Sequence, residues 1–118
     1  MAHNPRVPYA DRLSLPAVAA PMFLISGPKL VTEACRAGVV GTFPALNHRT
    51  TEGFADWLKE IEDDLAAFKD EAGREAAPYG VNLIVHRSNP RVQADLEVVV
   101  KHEVPIVITS LGAVSELV

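Results

Sequence analysis

The sequence predicts an α/β fold of parallel strands, and two observations support this prediction. Short apolar runs alternate along the 118 residues with stretches in which apolar residues recur every three or four positions. The first apolar run is nearly continuous, which is typical of a strand covered on both faces of a parallel sheet. The resulting order is strand, helix, strand, helix, strand, helix, strand. Strict alternation of this kind favours parallel strands joined by right-handed crossovers.

The first strand is predicted at Leu13–Ala20 and the first helix from Pro28, because proline suits the first helical position. Gly38 is expected to end this helix. Residues 1–12 contain two prolines and little periodicity, so we interpret them as a lead-in to a domain covering residues 13–118. The predicted buried stripe of the helix consists of Leu30, Val31, Ala34 and Ala37.

The second helix has the clearest amphipathic pattern in the chain. It follows a short strand predicted at Val39–Phe43, which Pro44 ends, and a loop over residues 45–49. The tripeptide Thr50-Thr51-Glu52 is typical of an N-cap with an acid in the first turn. The charged residues of the helix predict a solvent-exposed face. Its predicted buried stripe is Phe54, Trp57, Leu58, Ile61, Leu65 and Phe68.

The last third of the sequence predicts two more strands and one complete helix. The strands are expected at Tyr79–Val85 and Pro105–Thr109. Between them, Asn89 is the predicted N-cap of the third helix, with Pro90 at its first position. Residues Ala113–Val118 are predicted to open a fourth helix. The buried stripe of the third helix is expected to be Val92, Leu96, Val99 and Val100.

Two architectures fit this order of elements: a doubly wound open sheet, or part of an eight-stranded barrel. The sequence ends on an apolar Leu-Val pair within the first turns of the predicted fourth helix. A (β/α)8 TIM barrel takes about 250 residues. We therefore expect a truncated chain: the N-terminal half of a TIM barrel, with about four parallel strands and three full helices.

Composition excludes several classes of protein. The net charge is −4 and the 11 Lys and Arg are scattered, so no nucleic-acid footprint is expected. No apolar run approaches the roughly 20 residues of a membrane helix. The N-terminus lacks the apolar core of a signal peptide, which predicts a cytoplasmic protein. The single cysteine, Cys35, lies in a helical pattern and is interpreted as a small buried hydrophobe. The histidines show no metal-ligand spacing.

Ligands of parallel α/β folds bind beyond the carboxyl ends of the strands, and four segments of this chain meet that condition. The first is Ala20-Pro21-Met22, where small side chains let a flat ligand approach the backbone. Thr42-Phe43-Pro44 ends the second strand. The other two are the end of the third strand, from Asn82 to His86, and the end of the fourth, from Thr109 to Gly112.

Asn82 is the most informative single residue, because a buried amide requires hydrogen-bond partners. Asn82, Ile84 and His86 are predicted to share one strand face, because side chains alternate along a strand. If that face points into the barrel, Asn82 and His86 are both candidates for a ligand site. The competing interpretation is that backbone groups satisfy Asn82 and that His86 lies on the surface. Thr109 and Ser110 either hold a ligand or cap the following helix. His48 is a further candidate for lining the mouth of the site.

Several nucleotide-binding and hydrolase motifs are absent from the sequence. There is no GxGxxG fingerprint and no GxxxxGK[ST] loop, which argues against a Rossmann dinucleotide site or a P-loop. No GxSxG nucleophile elbow is present.

Four segments, LPAVAAPMFLISGPKLV, CRAGVVGTFPALN, PYGVNLIVHRSN and VPIVITSLGA, together carry a resemblance to a known family. In this order and spacing they resemble the N-terminal half of the nitronate monooxygenases, formerly called 2-nitropropane dioxygenases. The similarity covers roughly residues 13–118. The resemblance implies an FMN-dependent (β/α)8 barrel that oxidises alkyl nitronates with O2, giving carbonyl compounds and nitrite.

The resemblance also implies which residues meet the cofactor. The backbone of Ala20-Pro21-Met22 would pass along the flavin ring, with a main-chain contact from Met22 toward its reactive edge. Asn82 matches the asparagine that sits beside the flavin, and Thr109 and Ser110 match the strand end that lines the site. The protein would position the cofactor and tune its electronic properties.

The sequence departs from the family in lacking a counterpart of the Gly-rich segment that carries the catalytic histidine. Neither His48 nor His86 matches that motif, so the catalytic residue is unknown. We therefore expect the chain to fold poorly and to be inactive by itself. Two alternatives remain open: another flavin barrel, enoyl-reductase-like or IMP-dehydrogenase-like, and a non-catalytic half-barrel that self-associates as a homo-oligomer.

Overall fold

The computed structural model describes residues 9–115. The strands and helices alternate along this range, with two short 3-10 turns at Ala10–Arg12 and Ala45–Asn47. In chain order they are β1 Val18–Ala19, α1 Pro28–Arg36, β2 Val40–Pro44, α2 Thr51–Ala72, β3 Tyr79–Ile84, α3 Val92–Lys101 and β4 Ile106–Ser110.

The four strands form one parallel sheet in the order β1-β2-β3-β4. In its centre Phe43 pairs with Val81, which in turn pairs with Val107. The predicted α/β class, with four parallel strands and three helices, is confirmed.

The three helices cover one face of this sheet. The ring of Phe43 in β2 lies 5.9 Å from that of Phe54 and 5.7 Å from that of Trp57, both in α2. Each crossover leads to the next strand in the same direction, and right-handed crossovers then place successive helices on the same side. Accordingly α1 packs on α2, and α2 packs on α3. A doubly wound sheet would instead carry helices on both faces.

The hydrophobic core lies between this face and the helices. The strands contribute Phe43, Val81 and Leu83, all nearly or fully buried. The buried residues that the helices contribute are Val31, Cys35, Phe54, Leu58, Ile61, Leu96 and Val99. The amphipathic stripe predicted for α2 is therefore confirmed in its first half, and Trp57, Leu65 and Phe68 pack against the same core partly buried.

Gly41 lets α1 approach β2 closely. A Cβ built at this position would meet the backbone of Val31, including its carbonyl oxygen and its Cα atom. Backbone atoms cannot move aside as a flexible side chain can, so only glycine fits between this strand and this helix.

The prediction for the first strand was wrong in length and in burial. Only Val18 and Ala19 pair with β2, whereas a strand was expected over residues 13–20. Val18 is 54% exposed, because β1 is an edge strand and its side chain points away from the helices. Leu13 is buried, but it belongs to the turn that follows the 3-10 segment. The apolar residues of this segment therefore lie in two different environments, an edge strand and a buried turn.

Two predicted stripes were wrong in part. Leu30 of α1 and Val100 of α3 are exposed, at 39% and 56%. Ala37, predicted in the stripe of α1, is also exposed and follows the last residue of that helix. The places of Leu30 and Val100 in the buried face are taken by Thr32 and Asp95, respectively. The helices rotate so that the side chains nearest the sheet pack best, and polar residues there are buried with hydrogen bonds.

The helix starts are predicted well except at α3. Pro28 is the first residue of α1, and Thr50 caps α2 by accepting a hydrogen bond from the Gly53 N–H at 3.0 Å. The third helix begins at Val92, later than predicted. Asn89 does accept a hydrogen bond from the Arg91 N–H, so it caps the turn that precedes α3.

The described part of the lead-in packs against the segments that precede the amino ends of β3 and β4. Arg12 donates from Nε to the carbonyl of Ala76, and the Tyr9 hydroxyl donates to the carbonyl of Pro105 at the start of β4. Residues 1–8 of the predicted lead-in lie outside the described range. So do residues 116–118 of the predicted fourth helix, while Ala113 and Val114 are not helical.

Over residues 9–115, no helix combines the length and the apolar character that crossing a lipid bilayer would require.

Candidate functional site

The face of the sheet opposite the helices carries the candidate site, and we call it the open face. Its residues follow from the register and from the alternation of side chains along each strand. They are Val18, Val40, Thr42, Pro44, Gly80, Asn82, Ile84, Ile106, Ile108 and Ser110. Tyr9, Leu13 and Pro16 lean over its lower end and enclose a groove of about 300 Å³ with Val18, Val40 and Ile106. The carboxyl ends of the strands form the opposite, upper edge.

Asn82 and Ser110 meet at this upper edge. Nδ2 of Asn82 donates to the Ser110 Oγ at 2.7 Å and to the carbonyl of Ile108 at 3.0 Å. The carbonyl of Ile108 can only accept, so the nitrogen of the carboxamide must be the atom that faces β4. Asn82 is 8% exposed, which confirms the expectation that its amide is buried.

The arrangement leaves one acceptor and one donor free for a ligand. Within residues 9–115, Oδ1 of Asn82 accepts no hydrogen bond, and the Ser110 hydroxyl accepts one from Asn82 but donates to no described group. An acceptor on Asn82 and a donor on Ser110 are the two kinds of group that can bond an imide edge, in which an N–H lies next to a C=O. The isoalloxazine ring of a flavin ends in such an edge, and so do uracil and thymine.

Thr109 does not join this pair. It lies opposite Leu83 in the register, and Leu83 is buried in the core under the helices. Thr109 therefore faces the helix side of the sheet, and Ser110 faces the open side. Of the two adjacent hydroxyls predicted for the site, the structure brings only Ser110 to Asn82.

The end of β1 is open and lined by small groups. Ala20 is exposed and Pro21 half-buried, beside a chain that is held by the Thr42 hydroxyl, which donates to the carbonyl of Ala19. Both main-chain polar groups of Met22 are occupied: its N–H donates to Ser26 Oγ at 2.8 Å and its carbonyl accepts from several donors.

Asn47 is a site residue that the sequence did not single out. Its carboxamide bonds the loop after β1 at three points: Nδ2 donates to the carbonyls of Met22 and Ser26, and Oδ1 accepts from the N–H of Leu24. The only signal available in the sequence was an asparagine shortly after a strand end, a common position for turn residues.

His48 and His86 lie at the upper edge but away from Asn82. The His48 ring packs edge-on against Trp57, with the ring centroids 5.0 Å apart, and its Nδ1 accepts from the Thr50 N–H. His86 is exposed in the loop after β3, where its Nδ1 accepts from the backbone N–H of Ser88. Because β3 ends at Ile84, His86 does not continue the strand face that carries Asn82.

A buried polar network fixes the loop that contains Asn47. Asp95, 1% exposed, accepts from the Thr51 hydroxyl at 2.8 Å and pairs with Arg91 at 3.2 Å. Arg91 also donates to the carbonyls of His48 and Ala45, on either side of Asn47 in the chain. The sequence pattern gave Asp95 no role, because an aspartate in the first turn of a helix usually faces solvent.

Two further titratable groups, the Cys35 thiol and the Tyr79 hydroxyl, have raised pKa values and stay protonated near neutral pH. Burial raises the pKa of the Cys35 thiol to about 11, while a backbone hydrogen bond from Gly41 and the charge of Arg12 act in the opposite direction. Burial also raises the pKa of the Tyr79 hydroxyl, and the nearby Glu62 raises it further. In the part of the chain that the structure describes, no three His, Cys, Asp or Glu side chains are grouped as metal ligands would be.

Comparisons of this chain with protein-family models, with curated proteins and with solved structures find no match. The function is therefore inferred from the geometry of the upper edge and from the resemblance of the four segments.

Proposed function

We propose that this chain is the N-terminal half of a flavin-binding (β/α)8 barrel, and that the complete barrel is an FMN-dependent oxidoreductase of the nitronate monooxygenase type. The observation that supports the proposal best is the Asn82–Ser110 pair. It offers an acceptor on β3 and a donor on the neighbouring β4, at the edge of the sheet where parallel α/β folds bind ligands.

The residues present fit one end of a flavin. Oδ1 of Asn82 would accept from the imide N–H of the ring, and the Ser110 hydroxyl would donate to a ring carbonyl. Asn82 is held for this purpose by Ile108, since its nitrogen is fixed toward β4. Ala20 adds no side chain beyond its methyl group, so the ring would lie close to the backbone at the end of β1.

FMN, when bound, would supply the redox chemistry between an alkyl nitronate and O2 that the resemblance implies. In this proposal the described residues bind and orient the ring. They form its imide contact and exclude water from its lower side, where Ile106 and Ile108 make the open face apolar. Proton abstraction is not assigned to any of them.

The sequential strand order and the single helical layer support the barrel. A half-barrel has this topology, because each crossover adds one strand and one outer helix in the same direction of rotation. The proposal places the open face inside the barrel and the upper edge at its catalytic mouth.

Titration of the purified chain with FMN, followed by the quenching of flavin fluorescence, tests the proposal. We expect saturable binding, and for Asn82→Ala a dissociation constant at least tenfold higher, about 1.4 kcal/mol. Asn89→Ala is a matched control, because Asn89 also bonds backbone groups at this edge, the Ile84 carbonyl and the Arg91 N–H, but lies beyond the end of β3 and not on the open face. Binding that Asn82→Ala and Asn89→Ala reduce equally, or no binding by the wild type, would contradict the proposal.

Activity separates nitronate oxidation from the other flavin barrels. Nitrite release from an alkyl nitronate, measured with O2 consumption, supports the nitronate monooxygenase type, while NADH-dependent reduction of an enoyl thioester or oxidation of IMP supports an alternative. These 118 residues contain no counterpart of the family's histidine segment. We therefore expect nitrite release from a complete barrel, and flavin binding without turnover from this chain by itself.

A second candidate is a non-catalytic half-barrel that self-associates. It is favoured by the two edge strands, β1 and β4, which have no outer neighbour among the described residues, and by the 54% exposure of Val18. Sedimentation velocity distinguishes it: a dimer that takes up no flavin supports the self-associating chain, and a yellow species supports the enzyme.

A further inference from the structure

We propose that Asn47 is a positioning residue of the flavin seat: its carboxamide holds the loop of residues 22–26 so that the Phe23 N–H is presented as a free donor to the ligand. This inference rests on the proposed function, because it assumes that the ring lies along the ends of β1 to β4. It assigns to Phe23 the main-chain contact that the resemblance gives to Met22.

Asn47 makes three hydrogen bonds to the short loop of residues 22–26. Nδ2 donates to the Met22 carbonyl at 2.9 Å and to the Ser26 carbonyl at 2.8 Å, and Oδ1 accepts from the Leu24 N–H at 2.8 Å. All three hydrogen-bonding positions used are on a single side chain from a different strand-end loop. Asn47 therefore determines the shape of the loop after β1.

One N–H group of this loop has no hydrogen-bond partner among the described residues. Met22 donates to Ser26 Oγ, Leu24 donates to Asn47, and both Ile25 and Ser26 donate to the Met22 carbonyl. Among residues 22–26, the N–H of Phe23 alone has no partner in the described chain. A donor to a ring nitrogen or carbonyl is therefore available from Phe23 and not from Met22.

The loop has an unfavourable backbone conformation at Leu24. Leu24 has φ of 64°, a region that costs a branched residue on the order of 1 kcal/mol. Phe23, Leu24 and Ile25 are 66–76% exposed, so packing does not hold them in place. The hydrogen bond from the Leu24 N–H to Asn47 offsets the strain, and such strain is typical of ligand-binding loops.

Asn47 is itself held in place, because the backbone on either side of it is bonded to Arg91. Arg91 donates to the carbonyl of His48 at 2.6 Å and to that of Ala45 at 3.4 Å, and Asp95 fixes the guanidinium in turn. The buried network at the start of α3 thus reaches the loop after β1 through Asn47. This continuity makes Asn47 a rigid support.

The separation of β1 and β3 along the upper edge matches the length of a flavin ring. β1 and β3 are separated by two strand spacings, about 10 Å. A three-ring flavin whose imide end meets Asn82 in β3 spans that distance, so its other ring nitrogens come within reach of the loop after β1. The Phe23 N–H and the Asn82–Ser110 pair would then contact two parts of one ring.

The test compares the wild type with Asn47→Ala, Asn47→Asp and the control Gln93→Ala, which removes an exposed carboxamide that bonds Glu97 on the same helix. Asn47→Asp keeps an acceptor for the Leu24 N–H but loses the two donated bonds. Two measurements are made: amide hydrogen exchange at Phe23 and Leu24 in the flavin-free protein, and FMN affinity together with the visible absorption spectrum of the bound flavin.

We expect slow exchange at Leu24 and fast exchange at Phe23 in the wild type. Asn47→Ala should abolish the protection of Leu24, raise the FMN dissociation constant at least tenfold and shift the flavin spectrum. Asn47→Asp should have a smaller effect, and Gln93→Ala none. An unprotected Leu24 in the wild type, or FMN binding and spectrum unchanged in Asn47→Ala, overturns the role of Asn47 while leaving the proposed function intact. A wild type that takes up no FMN overturns both.

Discussion

The hydroxyl of Thr51 donates a 2.8 Å hydrogen bond to Oδ1 of Asp95 and so joins the first turn of α2 to the first turn of α3. Arg91, four residues before Asp95, pairs with the same oxygen at 3.2 Å. Because Arg91 also holds the carbonyls around Asn47, this contact between two helix starts controls the position of the loop beside the candidate site.

Arg91→Met should destabilise the protein by about 3 kcal/mol, because it leaves the carboxylate of Asp95 buried without a compensating charge. The free energy of unfolding in urea measures the effect. Lys59→Met is the matched control: Lys59 and Asp63 form an ion pair of the same spacing, but their side chains are 71% and 66% exposed. Exposed pairs contribute little, so no measurable change is expected there. Equal effects at the two sites would show that the Arg91 network is not a structural support.

Gly41→Ala should destabilise the protein by roughly 3 kcal/mol, because its new methyl group meets the backbone of Val31 in α1. Gly80, on the open face of the neighbouring strand, is the control. A Cβ there lies 3.1–3.2 Å from side-chain atoms of Thr42 and Ile106, which can shift. Gly80→Ala should therefore cost less than about 1 kcal/mol. Thermal unfolding of both variants tests whether the helices lie on the Gly41 side only.

Cys35 should not react with thiol reagents in the native state near pH 8, because its pKa of about 11 leaves little thiolate. The raised pKa also predicts a pH dependence of stability. The folded state holds the proton more tightly than the unfolded state, so the contribution is complete below pH 9 and is lost between about pH 9 and 11.

A shift of two pKa units corresponds to about 2 to 3 kcal/mol. Urea titrations at several pH values should show this loss in the wild type and a smaller loss in Cys35→Ala, which lacks the thiol. Tyr79 contributes a further decline above pH 10 in both proteins, since its pKa is also raised. Identical pH profiles for the two proteins would contradict the assignment to Cys35.

Tyr79→Phe should destabilise the fold by about 1 kcal/mol through loss of one hydrogen bond. The Tyr79 hydroxyl donates to Oε1 of Glu62 at 3.2 Å, and His102 contacts the same oxygen at 3.0 Å. Tyr9→Phe removes a similar hydroxyl that donates at 3.3 Å to a neutral carbonyl, so its effect should be smaller. Chemical denaturation ranks the two variants, and the opposite order would show that Glu62 is not a significant acceptor.

The helix side of the fold could be read from the sequence because long apolar periodicities determine it. Phe54, Leu58 and Ile61 are buried as their spacing predicts, and Thr50 caps α2. Periodicity could not distinguish an edge strand from a buried one at Val18, since both are apolar. That difference depends on which neighbour the strand has in the sheet.

The candidate site was predicted in part. Asn82 and Ser110 meet as their strand ends suggest, whereas adjacent Thr109 and Ser110 cannot face the same side of one strand, a consequence of alternation that the sequence already contained. Asn47 and Asp95 were missed for another reason. Each is defined by partners 21 to 44 residues away in the chain, and no local pattern identifies such contacts.

A single helical layer also makes the two faces of the sheet unequal as sites of genetic variation. Along β3, Tyr79, Val81 and Leu83 pack under the helices, while Gly80 and Ile84 do not. Saturation mutagenesis of this strand should give tolerance that alternates residue by residue, with Asn82 as the exception on the permissive side. At Asn82 intolerance would combine the loss of its two hydrogen bonds to β4 with any loss of ligand binding, so stability and ligand affinity must be measured separately for variants of this residue.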